Sequence, residues 1–242
     1  MRLQRRPPSL PASELSPPPQ LVARRLRSVY GVPKVAPNGS LVAALVRTIL
    51  SQNTASSNAR AAYESLRRCF PDWRGVASAP LSSIERAVRP AGLATRRASV
   101  IKEVLQRLAA EDPTLELSKW SDYPTEELMA RLLALPGVGP KTAACVALFE
   151  FGRAVFPVDT HILRVSKRLG WLPPTATAEQ AQPYLEARIA PTLRLELHVN
   201  LIELGRRVCR ARRARCEECV LNSVCARVGS GGSSENVHNV PS

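Results

Sequence analysis

The feature that most constrains the fold is the helical patterning of the central chain, which proline or glycine interrupts at nearly every junction. Apolar residues recur three and four positions apart, and no segment shows the alternation of a β-strand between turn residues. The segments predicted to be helical are 41–52, 55–70, 81–92, 95–111, 124–135, 140–152 and 160–169. Ser40 is a suitable N-cap for the first, and Gly170 is a suitable stop for the last. The sequence therefore predicts an all-α fold of many short helices.

The two ends of the chain differ in composition from this helical part. Residues 1–20 are rich in proline and residues 229–242 in glycine and serine, so we expect a disordered arm and a disordered tail. The N-terminus has basic residues but lacks the apolar core of a secretory signal. No apolar run reaches the ~18 residues of a membrane span, which excludes an integral membrane protein. We expect a cytoplasmic protein, associated with the nucleoid if it is bacterial.

The chain carries a large excess of positive charge. It has 34 lysines and arginines against 20 aspartates and glutamates, a formal net charge of +14. This excess favours a polyanionic partner, with nucleic acid preferred over an anionic membrane surface. Six arginines fall within ten residues: Arg206, Arg207, Arg210, Arg212, Arg213 and Arg215. Such a run is most often a solvated surface, but a rigid neighbouring cluster would favour phosphate contacts.

Four of the six cysteines lie close together near the C-terminal end. They are separated by six, two and five residues: Cys209, Cys216, Cys219 and Cys225. Without a secretory signal, clustered thiols are more often metal ligands than disulfides. Four thiolates suit either Zn²⁺ or an iron–sulfur cluster, and the spacing alone does not separate the two. Cys69 and Cys145 have apolar neighbours on predicted helices, so we expect both in the core.

A glycine-rich hairpin joins two of the predicted helices. Residues 135–143 read LPGVGPKTA, and Pro140 suits the first turn of the second helix. The hairpin residues Gly137, Val138 and Gly139 permit a tight turn with uncovered backbone amides, which can bind a DNA phosphate. An ordinary helix–helix connection would need the same glycines and proline. From these residues alone, both interpretations stay open.

This hairpin, the downstream segment VDTHILRVSKRLG and the cysteine spacing together resemble the endonuclease III family of helix-hairpin-helix DNA glycosylases and AP lyases. The resemblance extends over roughly residues 21–227. It implies that Lys141 is the nucleophile and Asp159 the catalytic aspartate, and that the four cysteines hold a [4Fe–4S] cluster rather than zinc. It also implies that Gln52 fills the space left by a flipped nucleotide and that Leu93 is the wedge.

The reaction of this family requires such residue types. Cleaving an N-glycosidic bond develops positive charge on the sugar, which a carboxylate can stabilise. An unprotonated amine that attacks C1′ forms a Schiff base, from which β-elimination breaks the strand. Each residue also has a structural alternative. Asp159 could cap the helix at 160–169, and Lys141 could bind phosphate only. Leu93 could be a core residue, and Gln52 a polar helix end.

The resemblance favours a bifunctional DNA glycosylase and AP lyase that removes oxidised pyrimidines from duplex DNA and nicks the abasic site. Adenine-mismatch glycosylases generally lack the lysine and have an acid four residues before the glutamine, where this chain has Thr48. A non-catalytic helix-hairpin-helix module would need neither Lys141 nor Asp159, and an adaptor protein would carry zinc. The expected partner is double-stranded DNA with a damaged base or an abasic site, bound by a monomer.

The resemblance also implies two helical domains with the active site in the cleft between them. Residues 34–153 are expected to form a six-helix domain with the helix-hairpin-helix motif. Residues 21–33 and 154–228 are expected to form the iron–sulfur cluster domain. Ala91 is smaller than the residue often found two positions before the wedge leucine, so we expect a smaller wedge.

Overall fold

The computed structural model describes residues 15–34 and 40–229, and the regular secondary structure of this part is helical. This part contains twelve α-helices and no β-strand, which confirms the all-α prediction. The helices are α1 (Pro19–Tyr30), α2 (Leu41–Ser51), α3 (Ser56–Cys69), α4 (Trp73–Ser78), α5 (Leu81–Val88), α6 (Ala94–Glu111), α7 (Thr125–Leu133), α8 (Pro140–Phe149), α9 (Thr160–Leu169), α10 (Ala178–Arg188), α11 (Pro191–Arg207) and α12 (Ala226–Gly229). Short 3-10 turns occur at Arg89–Ala91, Ser118–Asp122 and Asn222–Val224.

The helices pack into two compact units, with boundaries after Lys34 and after Arg153. The hairpin unit contains α2 to α8, and the cysteine unit contains α1 and α9 to α12. In its described residues the hairpin unit has seven α-helices rather than the expected six. The additional helix is α4, which begins where the Asp72 carboxylate accepts a hydrogen bond from the Gly75 N–H at 2.7 Å.

The hairpin unit is built around α2. This helix buries its residues from Leu41 to Val46 and also Ile49 and Leu50, and it packs against α3, α6 and α8. It begins at the predicted N-cap, because the Ser40 side chain accepts a hydrogen bond from the Ala43 N–H. A helix buried on nearly every side is fixed by its neighbours, so the loop that follows it has a rigid base.

The core of the cysteine unit forms where α1 and α9 pack against α11. Large apolar side chains such as Leu26, Phe156 and Trp171 are fully buried there. The close approach of α9 and α11 requires Gly205, because a Cβ at this position would lie 2.9 Å from the Cβ of His161. The start of α9, and with it Asp159, is thereby fixed to the long helix α11.

The expectation that residues 1–20 form a disordered arm is wrong for residues 15–20. Leu15 is buried, α1 begins at Pro19, and the Trp171 indole donates a hydrogen bond to the Pro17 carbonyl at 2.7 Å. Residues 1–14 lie outside the described residues. The same holds for residues 230–242 of the predicted tail, whereas Gly229 is the last residue of α12.

The two remaining cysteines differ in their surroundings. Cys145 is buried in α8 as predicted, but Cys69 at the end of α3 is exposed, so the prediction of a core position is wrong for Cys69. Separately, none of the helices in the described ranges has the length and apolar character needed to cross a membrane.

Candidate functional site

The glycine-rich hairpin connects α7 to α8 in a conformation that only glycine fits. Gly137 has a φ of +70°, and a Cβ at this position would lie 2.6 Å from Cγ1 of Val100 on α6. Gly137 and Gly139 are exposed. Val138 is buried, and its N–H donates to the Leu135 carbonyl at 3.2 Å. The Val138 amide therefore holds the turn together, and the two glycines present the accessible backbone.

Lys141 is the second residue of α8, directly behind the hairpin, and it is exposed. The residues that follow it, from Thr142 to Leu148, are all buried in the hairpin unit. Lys141 therefore extends from the start of a helix that the core holds firmly. An exposed amine next to uncovered backbone amides can reach a backbone phosphate or the sugar beside it.

Two further loops of the hairpin unit carry Gln52 and Leu93. Gln52 follows α2 directly, is exposed, and donates from Nε2 to the Gly137 carbonyl at 3.1 Å. Leu93 precedes α6 with a φ of +47°, and its side chain is 63% exposed. The alternative that Leu93 is a core residue is therefore wrong. Gln52, Leu93 and Gly137 line one surface pocket of the hairpin unit.

The residues next to these positions complete the local structure. Ala91 is buried beneath the Leu93 loop, so the small side chain packs inward. Thr48, at the position where mismatch glycosylases have an acid, donates its hydroxyl to the Ala44 carbonyl of its own helix at 2.8 Å. Asn53, directly after Gln52, has a φ of +51°. Both loops thus contain a non-glycine residue in the left-handed region, which is uncommon away from turns and functional sites.

Arg97 is a further residue of this region, which was not predicted from the sequence. It lies on the buried face of α6, and its guanidinium donates four hydrogen bonds, all to backbone carbonyls. Burial lowers the pKa of Arg97 below its usual value. A signal was present in the sequence, because Arg97, Ile101 and Leu105 follow one another at four-residue intervals. An arginine in such an apolar stripe must find internal hydrogen-bond partners.

Asp159 is the N-cap of α9 in the cysteine unit. Its Oδ1 accepts a hydrogen bond from the Ile162 N–H at 2.8 Å, as the structural alternative predicted. A carboxylate can accept further hydrogen bonds through its second oxygen, so capping leaves room for a second role. Lys141 belongs to the hairpin unit, and an active site shared by Lys141 and Asp159 stays a prediction.

The four clustered cysteines line one pocket of the cysteine unit: Cys209, Cys216, Cys219 and Cys225. All four are partly buried free thiols. Burial is the main cause that raises the pKa of Cys219, and the other three cysteines add to the shift. Within the described ranges, no three or more His, Cys, Asp or Glu side chains form a group that could hold a metal ion.

Two arginines of α9 connect this helix to the cysteine loop. Arg164 donates from Nε to the Cys209 carbonyl at 3.0 Å and from Nη2 to the Gly205 carbonyl at 2.8 Å. Arg168 donates to the Arg210 carbonyl at 2.8 Å and lies 3.2 Å from the Cys209 sulfur. The helix that Asp159 caps is therefore tied to the loop that carries the first cysteine. Neither contact is predicted by the sequence.

The predicted arginine run is exposed at all six positions: Arg206, Arg207, Arg210, Arg212, Arg213 and Arg215. Three of the six pair with a nearby glutamate. Glu203 accepts from Arg206 at 3.5 Å and from Arg207 at 2.9 Å, and Arg215 lies 3.4 Å from Glu218. Exposed ion pairs contribute only about 0–1 kcal/mol, so these pairs can be exchanged for contacts to phosphate.

Comparison with known proteins first defines the class of this chain. The family model described as HhH-GPD superfamily base excision DNA repair protein matches residues 46–191, which include the hairpin, Lys141 and Asp159. The match covers more than half of the chain. The class is therefore that of base excision DNA repair proteins with a helix-hairpin-helix motif.

Relatives within this class are endonucleases III and a plant protein. The chain is 33% identical to endonuclease III of Sulfolobus acidocaldarius over 190 residues, which cover 77% of this chain and 82% of that protein. The chain is 31% identical to endonuclease III of Thermotoga maritima over 181 residues, which cover 75% of this chain and 80% of that protein. A protein of Arabidopsis thaliana named as a candidate DNA glycosylase is 40% identical over 167 residues. These cover 69% of this chain but only 57% of the plant protein.

Solved structures show the same fold. A trapped covalent intermediate of endonuclease III with DNA matches with a TM-score of 0.74 at 23% identity, covering 88% of this chain and 97% of that chain. A thermostable thymine-DNA glycosylase matches with a TM-score of 0.74 at 19% identity, with the same coverage of both chains. The chain therefore belongs to the endonuclease III family of the HhH-GPD superfamily, as the motifs indicated.

Proposed function

We propose that this chain is a bifunctional DNA glycosylase and AP lyase that acts on oxidised pyrimidines in duplex DNA. The observation that carries the proposal is the position of Lys141, an exposed amine at the start of α8 directly behind the hairpin. A glycosylase that uses only water as its nucleophile has no need of an amine there. Thr48 in place of an acid favours damaged pyrimidines over adenine mismatches as the substrate, by the family pattern.

In the proposed reaction, the unprotonated Lys141 amine attacks C1′ of the damaged nucleotide. The bond from C1′ to the base nitrogen breaks, and the base leaves with the bonding electrons and gains a proton. Asp159 stabilises the positive charge that develops on the sugar. The C1′–O4′ bond of this adduct then breaks, O4′ gains a proton from the amine, and the open-chain sugar is left as an iminium with Lys141. The iminium loses a 2′ proton and then the 3′ phosphate, which breaks the strand, and water finally releases Lys141.

DNA binding is supported by two exposed surfaces, one in each unit. Gly137 and Gly139 suit one backbone phosphate, because uncovered amides lie next to the N-terminus of a ten-residue helix. The exposed arginine run at 206–215 suits several further phosphates. Because the flipped nucleotide leaves a gap in the stack, the Gln52 and Leu93 side chains are proposed to enter the duplex there.

We further infer that the four clustered cysteines hold a [4Fe–4S] cluster. Four partly buried thiols that line one pocket provide the ligand set of such a cluster. When bound, the cluster supplies rigidity, because base excision requires no electron transfer. The chain's own part is to hold α9 against the cysteine loop, which carries most of the arginine run, through Arg164 and Arg168.

The test of the proposed function is borohydride trapping on duplex DNA that contains an abasic site or an oxidised pyrimidine. Borohydride reduces the iminium to a stable amine, so the wild-type protein is expected to become covalently bound to the DNA. Lys141→Gln is expected to abolish trapping and strand nicking. The matched control is Lys119→Gln, which changes another exposed lysine of the same unit. Trapping by Lys141→Gln at the wild-type level would refute the assignment.

A further inference from the structure

We propose that Arg97 is a positioning residue that makes the Gln52 loop and the Leu93 loop one rigid element. This inference rests on the proposed function, because it concerns how the two side chains are presented to the duplex. Arg97 itself is 5% exposed, so it acts through the backbone of the two loops rather than through DNA.

The hydrogen bonds of Arg97 connect the two loops directly. Nε donates to the Gly92 carbonyl at 2.7 Å, immediately before Leu93. Nη1 donates to the Ile49 and Leu50 carbonyls at 2.7 and 2.8 Å, and Nη2 donates to the Gln52 carbonyl at 2.5 Å. The planar guanidinium has donors in a fixed fork, so one side chain fixes both backbones at once.

The charge of Arg97 suits this position. Ile49 and Leu50 are in the last turn of α2, where the helix dipole is negative and carbonyls lack the i+4 partner of the helix interior. The Ile49 carbonyl also accepts a long hydrogen bond from the Gln52 N–H at 3.4 Å. A guanidinium is therefore stabilised there without a carboxylate. A lysine would bring the same charge but only a single nitrogen, which cannot reach both loops in the same way.

Each of the two loops that Arg97 connects also contains a residue with left-handed backbone. Asn53 has a φ of +51° and Leu93 a φ of +47°. Left-handed backbone persists at such residues only where the surroundings fix it. The Gln52 amide adds a third connection, because it donates to Gly137 of the hairpin. Arg97 thus holds together the positions proposed to enter the duplex, next to the hairpin proposed to bind phosphate.

The experiment compares Arg97→Met and Arg97→Lys with Arg107→Met. Arg107 is an exposed arginine on the same helix that donates to Glu103 and to the Ala134 carbonyl, away from both loops. Each variant is bound to a duplex with a tetrahydrofuran abasic analogue and a neighbouring 2-aminopurine. The fluorescence of this base rises when the stack is opened. Single-turnover cleavage is then measured on a fully paired duplex that contains an oxidised pyrimidine and on a bubble that holds the same oxidised pyrimidine unpaired.

We expect Arg97→Met to lose the 2-aminopurine response and to cleave the paired duplex about 100-fold more slowly, because the inserting side chains are misplaced. Activity on the bubble is expected to be largely restored, since no stack has to be opened there. Arg97→Lys is expected to show the same pattern to a smaller degree, and it serves in place of Arg97→Met if that variant does not fold. Arg107→Met should match the wild type.

The results separate this inference from the proposed function. If the wild-type protein does not trap on abasic DNA, the proposed function fails. If the wild type traps and Arg97→Met retains its fluorescence response and duplex rate, the inference about Arg97 is wrong and the function stands. Equal losses on the duplex and on the bubble, for both Arg97 variants, would also overturn the inference, because they indicate a general structural defect.

Discussion

Asp159 provides a test that separates folding from catalysis, because asparagine retains its capping geometry and removes its charge. The Oδ1 atom of Asp159 accepts the Ile162 N–H at 2.8 Å. Asp159→Ala removes this bond and the favourable charge at the helix N-terminus, at a cost of about 1–2 kcal/mol. Asp159→Asn loses only the charge, at about 0.3–1 kcal/mol. For a chain of this length, each kcal/mol lowers the melting temperature by about 2–4 °C.

The catalytic effect of the two substitutions is expected to be much larger and nearly equal. Either variant removes the carboxylate proposed to stabilise the cationic sugar, so base release should slow by about 100- to 1,000-fold. An open-chain abasic site has no base to expel, and attack of Lys141 on its aldehyde builds less charge on the sugar ring. Asp159→Asn is therefore expected to trap on abasic DNA much better than it releases an oxidised pyrimidine.

The assays are single-turnover base release, borohydride trapping on abasic DNA, and thermal unfolding of each variant. Asp72→Ala is the matched control, because it removes the N-cap of α4, whose carboxylate accepts the Gly75 N–H. This control should lose stability and keep base release. Wild-type base release by Asp159→Asn would refute the reasoning and leave Asp159 as a helix cap only. Losses of activity that follow the melting temperature in all three variants would also refute it.

Three further predictions concern the hairpin, the arginine run and the cysteines. Gly137→Ala should destabilise the protein by about 1–3 kcal/mol in urea denaturation, because its Cβ would lie 2.6 Å from a valine methyl carbon. Gly152→Ala, which has a positive φ but open space around the new Cβ, should cost less. Replacing both Arg212 and Arg213 with alanine should make the plot of log affinity for duplex DNA against log salt concentration less steep by about 2, whatever the DNA sequence. Cys216→Ser should lower the iron content and the brown absorbance of the purified protein, and zinc in wild-type protein from iron-replete cells would contradict the cluster.

Local signals explain why much of the hairpin unit could be predicted from the sequence. The segment predicted at 41–52 is helical over Leu41–Ser51, and the segment predicted at 95–111 is helical over Ala94–Glu111. Caps and apolar periodicity involve neighbours within one or two turns, so they can be read from the sequence. The six-residue helix Trp73–Ser78 was missed because it is too short to show a period. The segment 81–92 ends as an α-helix at Val88, where a 3-10 turn with proline begins.

The long-range contacts of the site could not be predicted in the same way. Arg97 donates to carbonyls about 45 residues earlier in the chain, and Arg164 donates to the Cys209 carbonyl 45 residues later. Every residue type supplies a backbone carbonyl, so the acceptor leaves no mark in the sequence. Leu15 and Pro17 were placed in a disordered arm for a related reason. Their partners lie in the distant part of the cysteine unit, and local composition does not show them.

The Leu93 loop has features that reduce the stability of the fold. The left-handed backbone at Leu93 destabilises the folded state. The Leu93 side chain is 63% exposed, so its burial contributes little stability in return. Glycine would relieve the backbone, and a polar residue would suit the solvent better. A fold selected for stability alone has no use for leucine at this position. The same loop is held by Arg97, a buried charge that itself requires four carbonyl partners. The left-handed backbone and the buried Arg97 are both costly, and both fix the exposed Leu93 side chain. This cost is explained if the Leu93 side chain enters an opened base stack, where its apolar surface becomes buried.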